Sequence, residues 1–305
     1  IELKGRVFPA SIAFKLYDTY GFPVDMTSSI LQEKNIKLNL EEYDKIIELN
    51  KKKQKAFQAN SKNKHNIIIY NKLSDKLKST KFCGYQENQC EAKLIEIIKN
   101  EKVVRDVERK SENVELIFDK TPFYAESGGQ VGDSGSIYDL QENMVALVSD
   151  TQVIQNNIHI HTLKNITEEI KVNEIYKLVV DKGRRNKIRN NHSATHLLHE
   201  SLRIVVGPHV TQKGSLVNEE KLRFDYTSTE QLTNDQIHKI ESLVNTCIRS
   251  NISSNIKLMP VKQAVQSGAI ALFGEKYPDK VRVISLIDKN KKNISSVELC
   301  GGTHV

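Results

Sequence analysis

Two stretches decide how this chain folds: Asn191-His192-Ser193-Ala194-Thr195-His196-Leu197-Leu198-His199 and, at the far end, Glu298-Leu299-Cys300-Gly301-Gly302-Thr303-His304-Val305. From Ser193 to Val206 apolar residues recur at helical spacing, so His192 and His196, four apart, project from one helix face. Cys300 and His304 form a second close pair. Between them Gly301-Gly302 frees the backbone to turn, so that thiol and imidazole converge on one point. A lone pair of histidines at this spacing is common on helices, and a free cysteine is ordinarily a small buried thiol. Together, His192, His196, Cys300 and His304 make a four-donor set whose nitrogen and sulfur atoms suit zinc. That set requires a fold that carries a helix against the C-terminal strand.

The pattern around these stretches predicts such a fold. Residues 191–206 read as helix, 214–217 and 222–226 as strands, 233–251 as helix, 255–260 as strand, 261–268 as helix, and 281–287 and 294–299 as strands. Upstream, from about Lys81, short β-prone runs are separated by turn residues: 93–98, 103–107, 113–118, 144–150, 157–163 and 174–180. Such spacing suggests a small barrel. His159 and His161 share one face of a strand, in surface or packing roles. At the N-terminus a helix ends at Gly21 and Pro23 fixes the turn, and residues 39–60 read as an exposed helix leading to a loop. The fold class is therefore α+β: a short helical N-terminal segment in residues 1–80, a β-barrel subdomain over 81–182, and an α+β zinc-containing subdomain over 183–305.

Composition limits the function classes. No apolar run in these 305 residues approaches the roughly 20 needed to span a bilayer, and no signal peptide is visible, so no membrane partner is expected. Four cysteines, Cys83, Cys90, Cys247 and Cys300, are too few for a disulfide scaffold in a chain this long, which points to a reducing cytoplasm. The net charge of +7 permits a polyanionic partner. The sharpest basic cluster, Lys182-Gly183-Arg184-Arg185-Asn186-Lys187-Ile188-Arg189, lies directly before the histidine helix, where it could hold phosphates. Ile1 in place of an initiator methionine, and a close one residue past His304, read as cut ends.

Several further motifs run along the chain: Tyr17-Asp18-Thr19-Tyr20-Gly21-Phe22-Pro23, Thr121-Pro122-Phe123-Tyr124-Ala125-Glu126-Ser127-Gly128-Gly129-Gln130-Val131-Gly132-Asp133, Gly207-Pro208-His209-Val210-Thr211-Gln212-Lys213-Gly214, Leu222-Arg223-Phe224-Asp225 and Phe273-Gly274-Glu275-Lys276-Tyr277. With the two opening stretches they resemble, in order and end to end, the editing region of alanyl-tRNA synthetases, preceded by the close of the tRNA-recognition region. The resemblance implies a pocket that hydrolyses wrongly charged tRNA, namely Ser-tRNA(Ala) and Gly-tRNA(Ala). It implies Zn2+ on His192, His196, Cys300 and His304, with His192, His196 and Cys300 as catalytic positions. The partners would be the acceptor end of tRNA(Ala) and the aminoacylation domain of the parent enzyme, which joins alanine to tRNA with ATP. No Gly-rich phosphate loop or adenylate-forming signature is present, so this piece is expected not to activate amino acid.

An aminoacylation pocket rejects serine and glycine poorly, because they differ from alanine by one hydroxyl or one methyl, and a second hydrolytic sieve solves that. The second pocket needs a group that bonds the serine hydroxyl. Thr195, between the two histidines, either faces the pocket or packs. Gln130 is either a turn residue after two glycines or, by the resemblance, a hydroxyl-recognising group. Thr211, with Gln212 and Lys213, forms a polar loop that could line the pocket. The rival reading is a zinc-stabilised tRNA-binding module without hydrolytic activity.

Overall fold

The computed structural model describes residues 7–47, 64–228, 230–270, 278–287 and 295–305. The chain divides into two compact units, Ile1–Ile69 and Tyr70–Val305. In the first, helix α1 (Ala10–Tyr20) ends where Gly21 takes φ 66°, and Pro23 caps helix α2 (Val24–Glu33), as the turn residues require. Residues 40–47 are helical, and Tyr43 from this segment is buried against Ala10 and Ala13. The expected exposed helix is thus partly core here, and the rest of the 39–60 expectation falls largely outside the described residues.

The second unit opens with the end of a helix (Lys64–Lys76) and then forms a closed six-stranded barrel. Its strands are β1 (Gln89–Lys99), β2 (Val114–Phe118), β3 (Gly135–Tyr138), β4 (Met144–Ile154), β5 (Ile158–Lys164) and β6 (Ile175–Val180). They pair in the order β6-β3-β4-β5-β2-β1, and β6 returns to β1, all antiparallel. Alternating inward residues, among them Leu94, Leu116, Phe118, Ile137 and Leu178, fill the interior. The β-prone runs above miss β3 and count Lys102–Val107 instead, which forms only short edge strands, Lys102–Val104 and Asp106–Val107. The reason is Gly135-Ser136, which has low strand propensity. A Cβ at Gly135 would lie 2.1 Å from the Val179 carbonyl oxygen, so only glycine admits the close approach of β6. His159 and His161 are buried, which is a packing role and not a surface one. His161 Nδ1 lies 3.1 Å from the Leu116 carbonyl and Nε2 lies 2.8 Å from the Thr121 hydroxyl.

From the barrel the chain enters helix α3 (Lys182–Val205), capped by the Asp181 side chain on the Arg184 amide. Helix α4 (Asn234–Arg249) carries a full capping box between Thr233 and Gln236. Strands β7 (Gln212–Val217) and β8 (Leu222–Tyr226) make a hairpin. After α4 comes a three-stranded antiparallel sheet of β9 (Ser254–Pro260), β10 (Lys280–Ile287) and β11 (Ser295–Leu299), with β10 central. Leu197 of α3 and Cys247 of α4 pack on Ile284 and Leu286 of β10, which brings the histidine helix onto the sheet that ends at Cys300. The barrel is locked to this part by the Ser127–Val131 loop, where Val131 N–H bonds the Val217 carbonyl at 3.1 Å and Val217 N–H bonds the Gly129 carbonyl at 2.7 Å. Among the described residues no helix is long and apolar enough to cross a membrane, and all four cysteines are free thiols.

The basic cluster does not precede the histidine helix but belongs to it, because Lys182–Arg189 forms the first turns of α3. Arg185 is buried against Asp133, Arg184 binds Glu219 and the Gly132 carbonyl, and Arg189 donates to the His304 carbonyl. Only Lys182 and Lys187 of its cations are exposed.

Candidate metal centre

One face of α3 carries Arg185, Arg189, His192, His196 and His199, spaced four, three, four and three. This is the spacing of an apolar helix seam, yet every position is polar. The seam is tolerable because each residue has a partner on another element, as buried polar groups require. Arg185 reaches the barrel, Arg189 the C-terminal loop, His192 the side chain of Gln130, and His196 and His199 the carboxylate of Glu298.

The ligand atoms of His192, His196, Cys300 and His304 lie within 4.8 Å of one another. Cys300 Sγ is 3.4 Å from His192 Nε2 and 3.3 Å from His304 Nε2. A tetrahedral zinc at its usual bond lengths would separate nitrogen from sulfur by about 3.5 Å, so the two Cys300 contacts already match such an ion and the widest ligand pair would close by about an ångström to hold it. Each ring is oriented from outside. His192 Nδ1 lies 2.7 Å from Gln130 Oε1, His196 Nδ1 lies 3.1 Å from Glu298 Oε2, and His304 Nδ1 lies 3.3 Å from the Ser193 hydroxyl. The His196 approach is oblique, so it acts as a charge contact more than as a directional hydrogen bond. Outer partners on Nδ1 leave Nε2 to face the cluster, the arrangement that metal-ligating histidines require.

Gln130 is therefore a positioning residue. Its Oε1 accepts the Thr303 backbone N–H at 2.9 Å, which identifies that atom as the oxygen, so His192 Nδ1 must carry the proton it donates. Gln130 Nε2 donates to the Thr303 hydroxyl at 2.9 Å. Burial opposes ionising Cys300, but the His192, His196 and His304 rings outweigh it and hold the thiol well below its usual range, as a thiolate. Burial likewise opposes charging His196, and Glu298 with Cys300 outweighs it, raising that ring to about 10. His304 is lowered to about 4 by burial, which Cys300 only partly offsets. Burial would raise Glu298, but His196 and His199 hold its carboxyl well below the ordinary range, so it is ionised.

The expected turn at Gly301-Gly302 has a different cause. Neither glycine has positive φ. A Cβ at Gly302 would lie 2.1 Å from His192 Cε1, whereas one at Gly301 would meet nothing within 4 Å. Space beside the histidine demands glycine at position 302. The loop is clamped from the barrel side by Tyr85, whose hydroxyl donates to the Gly301 carbonyl, and from β10 by Arg282, which donates to the Gly302 carbonyl at 2.6 Å and stacks 3.7 Å from the Tyr85 ring centroid.

A cavity of about 480 Å3 opens onto the cluster. His192, His196 and Cys300 form part of its lining, with Tyr85, Lys280 and Arg282 contributing aromatic and cationic groups. Thr195 also lines it, though its hydroxyl donates to the Asn191 carbonyl at 2.8 Å, which combines the pocket and packing alternatives. Thr211 is exposed, with its hydroxyl 3.0 Å from that of Thr227, and its neighbour Gln212 is the residue of that loop that lines the cavity. Arg223 and Asp225 pair at 3.1 Å, a structural contact. Glu275 and Lys276 lie outside the described residues. Glu298, His199, Tyr85 and Arg282 were not singled out from sequence. For His199 the signal was present, since it lies seven residues beyond His192 and so on the same helix face.

Residues 2–184 match the family described as tRNA synthetases class II (A). The chain is 42% identical over 302 residues to an alanine–tRNA ligase of Wolbachia pipientis wMel, covering 99% of this chain and 33% of that protein. It is 40% identical over 301 residues to one from Parvibaculum lavamentivorans, covering 98% and 34%, and 40% over 304 residues to one from Idiomarina loihiensis, covering 100% and 33%. The chain thus spans about a third of the length of these relatives.

Proposed function

Because the chain belongs to the class II (A) tRNA synthetase family, and within it to the alanyl-tRNA synthetases, we propose that it is the proofreading part of such an enzyme, hydrolysing the ester of Ser-tRNA(Ala) and Gly-tRNA(Ala). The observation that carries this reading is the cavity of about 480 Å3 that joins a His–His–Cys–His donor set to a rim bearing Lys280, Arg282 and Tyr85. That volume suits an aminoacyl group with part of its terminal nucleoside, and the rim cations suit the neighbouring phosphates of the acceptor end. The parent enzyme's ligation of alanine to tRNA, and contact with its aminoacylation domain, belong to the same proposal. The free thiols accord with a reducing cytoplasm.

In the reaction the oxygen of water bonds to the acyl carbon, the bond from that carbon to the ribose oxygen breaks, and the ribose oxygen takes up a proton. Zinc, the ion this donor set fits best, would supply Lewis-acid polarisation at the ester. The chain's own residues do the rest. Gln130, Glu298 and Ser193 fix the imidazoles, while Tyr85 and Arg282 hold the loop bearing Cys300 and His304. The α3 and β10 walls keep the acyl group away from bulk water. The test is deacylation by the purified chain, in which Ser-tRNA(Ala), and more slowly Gly-tRNA(Ala), should be cleared while Ala-tRNA(Ala) is spared. Equal rates for all three would remove the proofreading assignment.

One observation favours a second reading. The protein supplies all four ligands, which is the hallmark of a closed structural site. In that case the chain is a zinc-stabilised tRNA-binding module that binds Ser-tRNA(Ala) without hydrolysing it.

A further inference from the structure

We infer that His199 is the specificity-determining residue of this cavity, its Nε2 accepting the hydroxyl of an esterified serine; the inference rests on the proofreading reading above. Among the described residues few buried side-chain polar atoms lack a hydrogen-bond partner, and His199 Nε2 is one of them. His199 itself is 2% exposed and lines the cavity. The remainder of the ring is fixed. Nδ1 lies 3.2 Å from Glu298 Oε1, which also accepts from the Ser296 hydroxyl at 2.9 Å, and the ring packs against Phe224 at 5.1 Å between centroids. An ionised carboxylate only accepts, so Nδ1 carries the proton, and in the neutral ring Nε2 presents a bare lone pair. A serine hydroxyl is a donor that satisfies it.

Discrimination then comes from the penalty for leaving that nitrogen unpaired. Alanine puts a methyl group where the hydroxyl would be and leaves Nε2 without a hydrogen bond, as it is in the free chain. Glycine carries no side chain and leaves room for a water to enter beside the nitrogen. The resulting order is serine, then glycine, then alanine. Thr195 cannot impose this order to the same degree, because its hydroxyl already donates to the Asn191 carbonyl and stays satisfied whichever substrate enters. The seam spacing explains how His199 comes to share a face with the ligands His192 and His196 while its own nitrogen stays outside the four-donor set.

The test compares His199→Asn with the unsubstituted chain. The asparagine amide nitrogen can take the place of Nδ1 and keep the bond to Glu298, while nothing replaces Nε2. The preference for Ser-tRNA(Ala) over Ala-tRNA(Ala) should fall by about 10- to 100-fold, and the preference for serine over glycine should fall with it. A merely structural role would lower all rates together and leave both ratios in place, which would overturn the inference. Zinc content, measured on the same preparation, should stay at the unsubstituted level. Should the variant fail to fold, the unsubstituted chain still decides the matter. With 15N-labelled histidine, the His199 Nε2 resonance should shift on binding 3′-seryl-aminoadenosine and not on binding the alanyl analogue; equal responses would refute the assignment. Loss of Ser-tRNA(Ala) hydrolysis from the unsubstituted chain would instead refute the proofreading reading.

Discussion

The ion pair of Arg185 and Asp133 offers the sharpest test of how barrel and histidine helix are joined. Their side chains are 3% and 1% exposed. Arg185 Nε lies 2.8 Å from both carboxylate oxygens, Nη1 donates to the Gly84 carbonyl and Nη2 to the Pro122 carbonyl, each at 2.8 Å. Asp133 also accepts the Tyr124 amide at 2.6 Å. Asp133→Ala would strand a guanidinium that cannot shed its proton, and would orphan the Tyr124 N–H. Breaking one partner out of such a pair costs about 3–5 kcal/mol. With a urea m-value of about 2–3 kcal/mol per molar, the unfolding midpoint should drop by about 1.5 M. Arg185→Met, which leaves only the carboxylate buried, should also destabilise. The double variant Asp133→Ala/Arg185→Met should lose less than the sum of the two, with a coupling of at least about 2 kcal/mol, since removing both charges leaves neither desolvated alone. Urea titrations of the three variants measure all of this. A single-variant loss below about 1 kcal/mol, or strict additivity, would refute the reasoning.

Gly302→Ala should push the His192 ring away and weaken zinc binding at least about tenfold in a chelator competition, whereas Gly301→Ala, which meets nothing within 4 Å, should bind as the unsubstituted chain does; equal effects at the two positions would contradict the crowding argument. His161, lowered by burial from 6.5 to about 3, gives stability that is complete above pH 6.5 and is lost as pH falls toward 3, because the unfolded chain takes up a proton that the barrel refuses. At pH 5 the loss is about 2 kcal/mol relative to neutral pH, with His159 adding in the same direction, and a pH series of urea midpoints that is flat between 5 and 7 would be incompatible with it. Cys300→Ala separates site from scaffold: under the proofreading reading deacylation falls by orders of magnitude while the melting temperature drops only moderately, under the structural reading the α+β part unfolds, and a folded variant with full deacylation would remove Cys300 from the chemistry.

Local features carried the sequence reading a long way. The single helix turn between His192 and His196, the four-residue spacing of Cys300 and His304, the stop at Gly21 and the alternation of most barrel strands are all short-range signals, set by backbone periodicity. What the tertiary structure decided is which distant groups complete them. Gln130 orients His192 from a barrel loop 62 residues away, and Glu298 joins His196 to His199 from a strand 99 residues beyond the latter. Nothing in local spacing pairs such residues; only closure of the barrel, and the packing of the histidine helix on the central strand, brings them within hydrogen-bond reach. Arg185 shows the same limit from the other side. In sequence it belongs to a basic run that reads as a place to hold phosphates, and only a buried aspartate on another element makes its charge tolerable inside, because the cost of burying an ion is set by its partner rather than by its neighbours in the chain.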